Sequence, residues 1–217
     1  MIQRDNRNNQ TIDGFYQQAL SIVSNHLQEF YNEYADDNGL TLNQVSQQVN
    51  SWDIQSFYQA IDEMLADVSP DDELSKRLQA IFVQASISRR DMLGAMIGAG
   101  MSIATAKSES FAVNELKQQY IDGYDNSSPN KLSTVPDKVA NQTEYSQRIW
   151  VHGDVMTTRM KETLNKGLSR GMKKSDINKM TRNIAQSGDR IAPILKFGTK
   201  IIRFCVIMIK IRIGVFL

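Results

Sequence analysis

The sequence contains very few side chains that bind soft metals or form cross-links. Among its 217 residues there is a single cysteine, Cys205, and there are only two histidines, His26 and His152. One cysteine excludes a disulfide within the chain, and three such side chains are too few for a typical structural zinc site. We therefore predict no metal, no cofactor and a reducing compartment.

Long apolar runs are also scarce. The first ten residues, MIQRDNRNNQ, contain no apolar core of a secretory signal, so we expect a protein that starts in the cytosol. The stretch MLGAMIGAGMSIATA, residues 92–106, is uncharged but has only fifteen residues, whereas a membrane-spanning helix needs about 20. Gly94 and Gly98 have the spacing at which helices approach closely. This stretch therefore predicts a buried, closely packed helix or helix pair.

Proline is rare, and its distribution marks one boundary. Two of the four prolines lie in DGYDNSSPNKLSTVPDKVANQT, residues 122–143, which is also rich in Asn and Ser. Such a composition is typical of a linker or a long surface loop. On either side of it, apolar residues recur at helical spacing. We predict an all-α, elongated multi-helix protein with a short basic helical module after the linker.

The first helix has the clearest periodicity. Its apolar positions step by four and three residues and form one stripe, which favours a bundle helix over a coiled coil because fewer than three heptads are present. The stripe comprises Tyr16, Leu20, Val23, Leu27, Phe30 and Tyr34.

Several helix starts can also be located. Thr41 and Gln44 fit a capping box that begins a short helix. A further helix fits residues 52–66. In SPDDE, Ser69 is the predicted N-cap and Pro70 the first helical residue, followed by acidic residues that suit the positive helix end.

The formal charge of +1 conceals an asymmetry along the chain. Residues 1–90 have 13 acidic and 6 basic side chains, a charge of −7, whereas residues 91–217 have 11 acidic and 19 basic ones, a charge of +8. We therefore divide the chain into an acidic helical region at 1–121, a linker at 122–143, a basic helical module at 144–187 and an atypical tail at 188–217. Opposite ends of such a chain suit partners of opposite charge.

Sequence signatures of common enzyme classes are missing. The chain has no GxxxxGK[ST], no GxSxG and no HExxH. His152 and Asp154 in VHGDV are interpreted as a turn before the next helix, not as an acid–base pair. We predict a protein that is not an enzyme.

The basic module contains three segments whose order is informative: YSQRIW at 145–150, GLSRG at 167–171 and SDINKM at 175–180. Gly171, at the end of GLSRG, is the predicted C-terminal stop of its helix. With FYNEYADDNGLTLNQV, SWDIQSFYQAI and SISRRDML earlier in the chain, they resemble the minor head proteins, or head morphogenesis proteins, of tailed bacteriophages, related to the Mu F-like family. The resemblance covers roughly residues 12–187. Any one segment alone is a weak signal.

The resemblance implies a binding role without catalysis. Family members are few-copy head components associated with the portal vertex, so the implied partners are the portal protein, a scaffold protein or a capsid protein. The implied location is the host bacterial cytoplasm during assembly and the virion head after incorporation. Membrane association is the weakest alternative.

Aromatic and basic residues of YSQRIW are the first candidate partner contacts. Tyr145, Arg148 and Trp150 could anchor a partner, because large aromatic side chains and arginine dominate many interfaces. For Trp150 we favour a place in the protein's own core, since Ile149 beside it suggests packing onto the following helix.

A second candidate surface is basic. Between residues 159 and 182 the chain has eight basic and two acidic side chains. These cations do not fall on one recognition-helix face, so sequence-specific DNA reading is not expected, whereas nonspecific contact with DNA or with an acidic protein remains open. A nonspecific DNA-binding or packaging-accessory protein is therefore the alternative function. The candidate contacts are Lys166, Arg170, Lys173, Lys174, Lys179 and Arg182.

The tail is unlike the rest of the chain. KFGTKIIRFCVIMIKIRIGVFL, residues 196–217, has no acidic residue, and its end alternates isoleucine with basic residues, a strand-like period. We expect residues from about 188 onward to be out-of-frame translation after a frameshift in an AT-rich gene. Translating the other two frames of the downstream DNA tests this, because a polar helical continuation in one of them would support it and stop-filled sequence in both would oppose it.

Overall fold

The computed structural model describes residues 2–125 and 143–187, and it confirms the predicted all-α class. The described residues form seven α-helices and no β-strand. These are α1 (Ile2–Tyr34), α2 (Leu42–Val45), α3 (Ser51–Leu65), α4 (Asp72–Ala85), α5 (Arg89–Asp125), α6 (Thr143–Ser169) and α7 (Lys174–Ser187).

The apolar stripe of α1 faces the core as predicted. Five of its six members are at most 3% exposed: Tyr16, Leu20, Val23, Leu27 and Phe30. Tyr34, the sixth, lies at the end of the helix and is half-buried beneath the Arg89 side chain, whose guanidinium carbon is 3.8 Å from the ring centre. A bundle helix is stabilised when its apolar stripe is buried and its opposite, polar face stays exposed to water.

Helix starts agree with the sequence in one case and differ in another. The capping box of α2 is confirmed, since the Thr41 amide donates to Gln44 Oε1 at 2.7 Å and Thr41 Oγ1 accepts from the Gln44 amide. The predicted N-cap of α4 was wrong by two residues. Asp71, not Ser69, is the cap, because its carboxylate accepts from the amide of buried Leu74 at 2.8 Å.

Helix α5 is the centre of the fold. It contacts α1, α2, α3, α4 and α6, and nearly every side chain from Met92 to Ala104 is buried. The predicted buried segment is therefore confirmed as part of one long helix rather than a helix pair. Small residues let the neighbours approach, since a Cβ on Gly100 would lie 2.9 Å from Val23 of α1.

Two boundaries of the basic region differ from the sequence interpretation. Helix α5 continues to Asp125, into the predicted linker, and residues 126–142 lie outside the described part. The turn predicted at His152–Asp154 was wrong, because these residues lie inside α6. Gly153 serves close packing instead, since a Cβ there would be 2.3 Å from Thr105 Oγ1 of α5.

Helices α6 and α7 share their core with the N-terminal helices. α6 packs on α5, and α7 packs on α1 and α6. The apolar side chains that join this common core are Trp150, Met156, Met160, Leu164, Leu168, Met172, Ile177 and Met180. Within residues 2–125 and 143–187, no helix is both long enough and apolar enough to cross a membrane. The predicted tail at 188–217 lies outside the described residues.

Candidate interaction surface

A glycine turn joins α6 to α7 and sets the geometry of the basic region. Gly171 has φ +74°, a left-handed conformation that residues with a Cβ rarely adopt, and its amide donates to the Leu168 carbonyl at 3.3 Å. This confirms Gly171 as the predicted helix stop. Asp176 then accepts from the Lys173 amide at 2.9 Å, which caps the start of α7.

The same turn is hydrogen-bonded to the turn between α1 and α2. Leu40 and Met172 exchange two backbone hydrogen bonds, of 2.9 and 2.8 Å. The two chains approach so closely that a Cβ on Gly39 would lie 2.6 Å from the Met172 carbonyl oxygen, and one on Gly171 would lie 2.6 Å from that of Asn38. Two glycines thus hold the basic turn in a fixed place on the N-terminal helices.

Five of the six predicted basic residues lie on the last turn of α6, in the link to α7 or on the first two turns of α7. Their side chains are exposed, and none forms an ion pair with another described residue. The sixth, Arg182, lies in α7, but its side chain is outside the described part. We call the five the basic hairpin surface: Lys166, Arg170, Lys173, Lys174 and Lys179.

The carboxylates of Asp36, Asp37 and Asp176 lie beside this turn, and Glu162 lies one helical turn before Lys166. Asp36 and Asp37 are exposed on the adjoining turn, and Asp36 already accepts from the Asn38 amide at 2.8 Å and from Gln44 at 3.2 Å. The basic hairpin surface therefore keeps an excess of positive charge. Such a surface attracts carboxylates or phosphates without reading their order.

The YSQRIW residues do not form one surface. Trp150 is only 7% exposed and belongs to the core, as we favoured, whereas Arg148 is exposed and has no ion pair with a described residue. Tyr145 lies in α6, but its side chain is outside the described part. Trp150 therefore supports α6 internally and leaves Arg148 as the available contact.

The partners of Trp150 were not predicted from sequence. Its indole N–H donates to Glu109 of α5 at 2.6 Å, and Ser146 donates to the other oxygen of the same carboxylate. Arg77 of α4 covers the ring at 4.3 Å and bonds Asp154 at 2.6 Å. These contacts join three helices from distant parts of the chain, and no local sequence pattern predicts them.

Two further basic side chains of α6 are withdrawn from the surface. Burial lowers the pKa of Lys161, opposed by the charge of Asp91, and its ammonium donates to Gln84 at 3.3 Å. Burial, and then the charge of Arg159, lowers the pKa of His152 and favours the neutral imidazole. Lys161 and His152 therefore add little to the positive surface, whereas Arg148 and Arg159 of the same helix are exposed.

Comparison with known proteins gives no relative. No family model, no curated protein and no solved structure matches this chain. The resemblance to phage minor head proteins accordingly stays a prediction.

Proposed function

We propose that the chain is a minor head protein of a tailed bacteriophage or prophage that acts in head morphogenesis by binding a portal, scaffold or capsid protein. It does so in the host bacterial cytoplasm and enters the virion head with its partner. The observation that carries the binding role is the basic hairpin surface, five exposed cations without a described ion-pair partner. The phage setting rests on the ordered segments YSQRIW, GLSRG and SDINKM.

An acidic protein surface suits these cations for two physical reasons. Long-range attraction raises the rate of encounter, and the fixed turn means that little backbone order is lost when the partner binds. The hairpin backbone is held by Gly171 and by the Leu40–Met172 pair, so the five charges keep their arrangement. Selectivity then comes from the spacing of the partner's carboxylates.

Nonspecific DNA binding is the second candidate, favoured by the same exposed charges. Phosphate attraction needs only positive density, and each neutralised phosphate steepens the loss of affinity with salt. The two candidate functions differ in what the partner must provide. A protein partner must match the hairpin in shape, whereas nonspecific binding requires only a DNA duplex of sufficient length.

Charge reversal of the hairpin tests the proposal. We expect the variant Lys173→Glu/Lys174→Glu to lose at least about tenfold in affinity for the proposed portal partner, because two attractions become repulsions. The measurement is co-expression of tagged chain and portal protein, pull-down, and titration of the purified pair by calorimetry. Failure of the wild-type chain to associate with portal, scaffold or capsid protein would count against the proposal.

A matched control separates local from total charge. Arg7→Glu/Lys76→Glu makes the same change in net charge at two exposed cations elsewhere. Arg7 is about 31 Å along α1 from Gln28, which contacts α7, and Lys76 adjoins Arg77, whose partner Asp154 is about 22 Å along α6 from its end. Salt-sensitive binding of the wild type to duplexes of any sequence, weakened more by Lys173→Glu/Lys174→Glu than by Arg7→Glu/Lys76→Glu, would favour the DNA reading.

A further inference from the structure

A cavity of 510 Å³ lies between α1, the connection from α3 to α4, and α5, on a different part of the molecule from the basic hairpin surface. Its volume falls within the range of small-molecule sites. Phe15 and Phe111 form one wall, with their rings packed edge to face at 6.0 Å between centres. This wall offers an apolar surface to a ligand.

Lys107 is the decisive side chain of this cavity. It lines the cavity, and only 13% of its side-chain surface is exposed. Its ammonium has two described polar contacts, both long: 3.5 Å to Gln18 Oε1 and 4.0 Å to Asp67 Oδ2. An ammonium has three N–H donors, and a charge withdrawn from water is stabilised only by close partners. The side chain is therefore placed to accept a further anionic group.

The two carboxylates at the rim do not fill that role. Asp71 is engaged as the N-cap of α4, where it accepts from the Leu74 amide at 2.8 Å. The Asp67 side chain is 76% exposed, so water screens its charge, and its contact with Lys107 is at the limit of an ion pair. A ligand oxygen closer than 4.0 Å would replace Asp67 as the principal partner of Lys107.

We propose that this cavity binds a small organic carboxylate with an aromatic or aliphatic body. The carboxylate accepts hydrogen bonds from the Lys107 ammonium, and the apolar body lies against Phe15 and Phe111. This site is independent of the phage function proposed above, since it shares no residue with the basic hairpin surface.

Titration of the full chain with benzoate tests the site, with ¹⁵N-resolved NMR as the readout. We expect saturable shifts of the amides around Lys107, and at least about tenfold weaker binding of benzamide, which keeps the ring but lacks the charge. Lys107→Met, which keeps the apolar stem, should weaken benzoate binding to a similar extent. Lys117→Met is the matched control on the same helix outside the cavity, and it should leave binding unchanged.

A second variant keeps the proposal testable if Lys107→Met does not fold. Asp67→Asn removes the competing carboxylate and should tighten benzoate binding by about two- to fivefold, because the carboxylate that contacts Lys107 is then a neutral amide. Tighter binding of benzylamine than of benzoate would overturn the proposal, since the rim carboxylates would then govern the site. Absence of saturable benzoate binding, or equal binding by the wild type and folded Lys107→Met, would also overturn it.

Discussion

Replacing Arg89 with methionine is expected to lower the free energy of unfolding by about 3–5 kcal/mol, the usual cost of removing one partner from a buried ion pair. Arg89 Nε donates to Asp53 Oδ2 at 2.9 Å, and the Asp53 side chain is fully buried. The same guanidinium donates to Gln47 at 2.7 Å and covers the Tyr34 ring. Methionine fills a similar volume, so the loss reports mainly the stranded Asp53 charge.

Chemical denaturation followed by circular dichroism measures this effect. Arg77→Met is the matched control, because Arg77 also stacks on an aromatic ring but pairs with two exposed carboxylates, Asp154 and Glu73. That variant should lose about 1 kcal/mol, as partly exposed pairs do. Adding Asp53→Asn to Arg89→Met should restore part of the stability, since the charge is then gone. A loss below about 1 kcal/mol for Arg89→Met would contradict the assignment.

Replacing Gly171 with alanine is the second change with a large expected effect. The left-handed backbone costs a residue with a Cβ about 1–2 kcal/mol, and the added carbon would lie 2.6 Å from the Asn38 carbonyl oxygen. Because that neighbour is backbone, relief requires the two turns to separate, as in overpacked cores. We expect a total loss of about 2–4 kcal/mol.

Gly14→Ala provides the same chemical change without the constraint. Gly14 lies within α1, and a Cβ there meets nothing within 4 Å. Alanine should therefore stabilise the protein by about 0.5–1 kcal/mol, the gain typical of helix interiors. Denaturation of both variants under one condition gives the comparison. Similar stabilities for Gly171→Ala and Gly14→Ala would refute the close contact of the two turns.

Local signals predicted much of the helical framework. The α1 stripe, the Thr41–Gln44 box and the Gly171 stop each depend only on residues of one helix or one turn, so the local sequence contains the whole signal. The α4 cap was misplaced because Ser69 and Asp71 are both good capping residues. Burial of Leu74, which selects Asp71, is a tertiary fact.

The remaining features depend on contacts between distant residues. Gly153 looks like a turn residue until Thr105 of α5 is placed against it. The ion pair of Asp53 with Arg89 joins residues 36 positions apart, with the whole of α4 between them. For the candidate site, the basic residues could be named from charge alone. Their common placement could not, because it depends on how the Gly171 turn folds α7 back against α1.

The most direct test of the central claim is whether this chain is present in assembled phage heads. To test the proposed phage role, particle formation would be induced from the genome that encodes the chain and proheads purified by gradient centrifugation. Peptides of this chain would then be quantified by mass spectrometry against the portal and major capsid proteins. We expect its peptides in the prohead fraction at a few copies per particle, with recovery reduced by Lys173→Glu/Lys174→Glu but not by Arg7→Glu/Lys76→Glu. Peptides confined to the particle-free fraction, while the portal protein is recovered in proheads, would contradict the account.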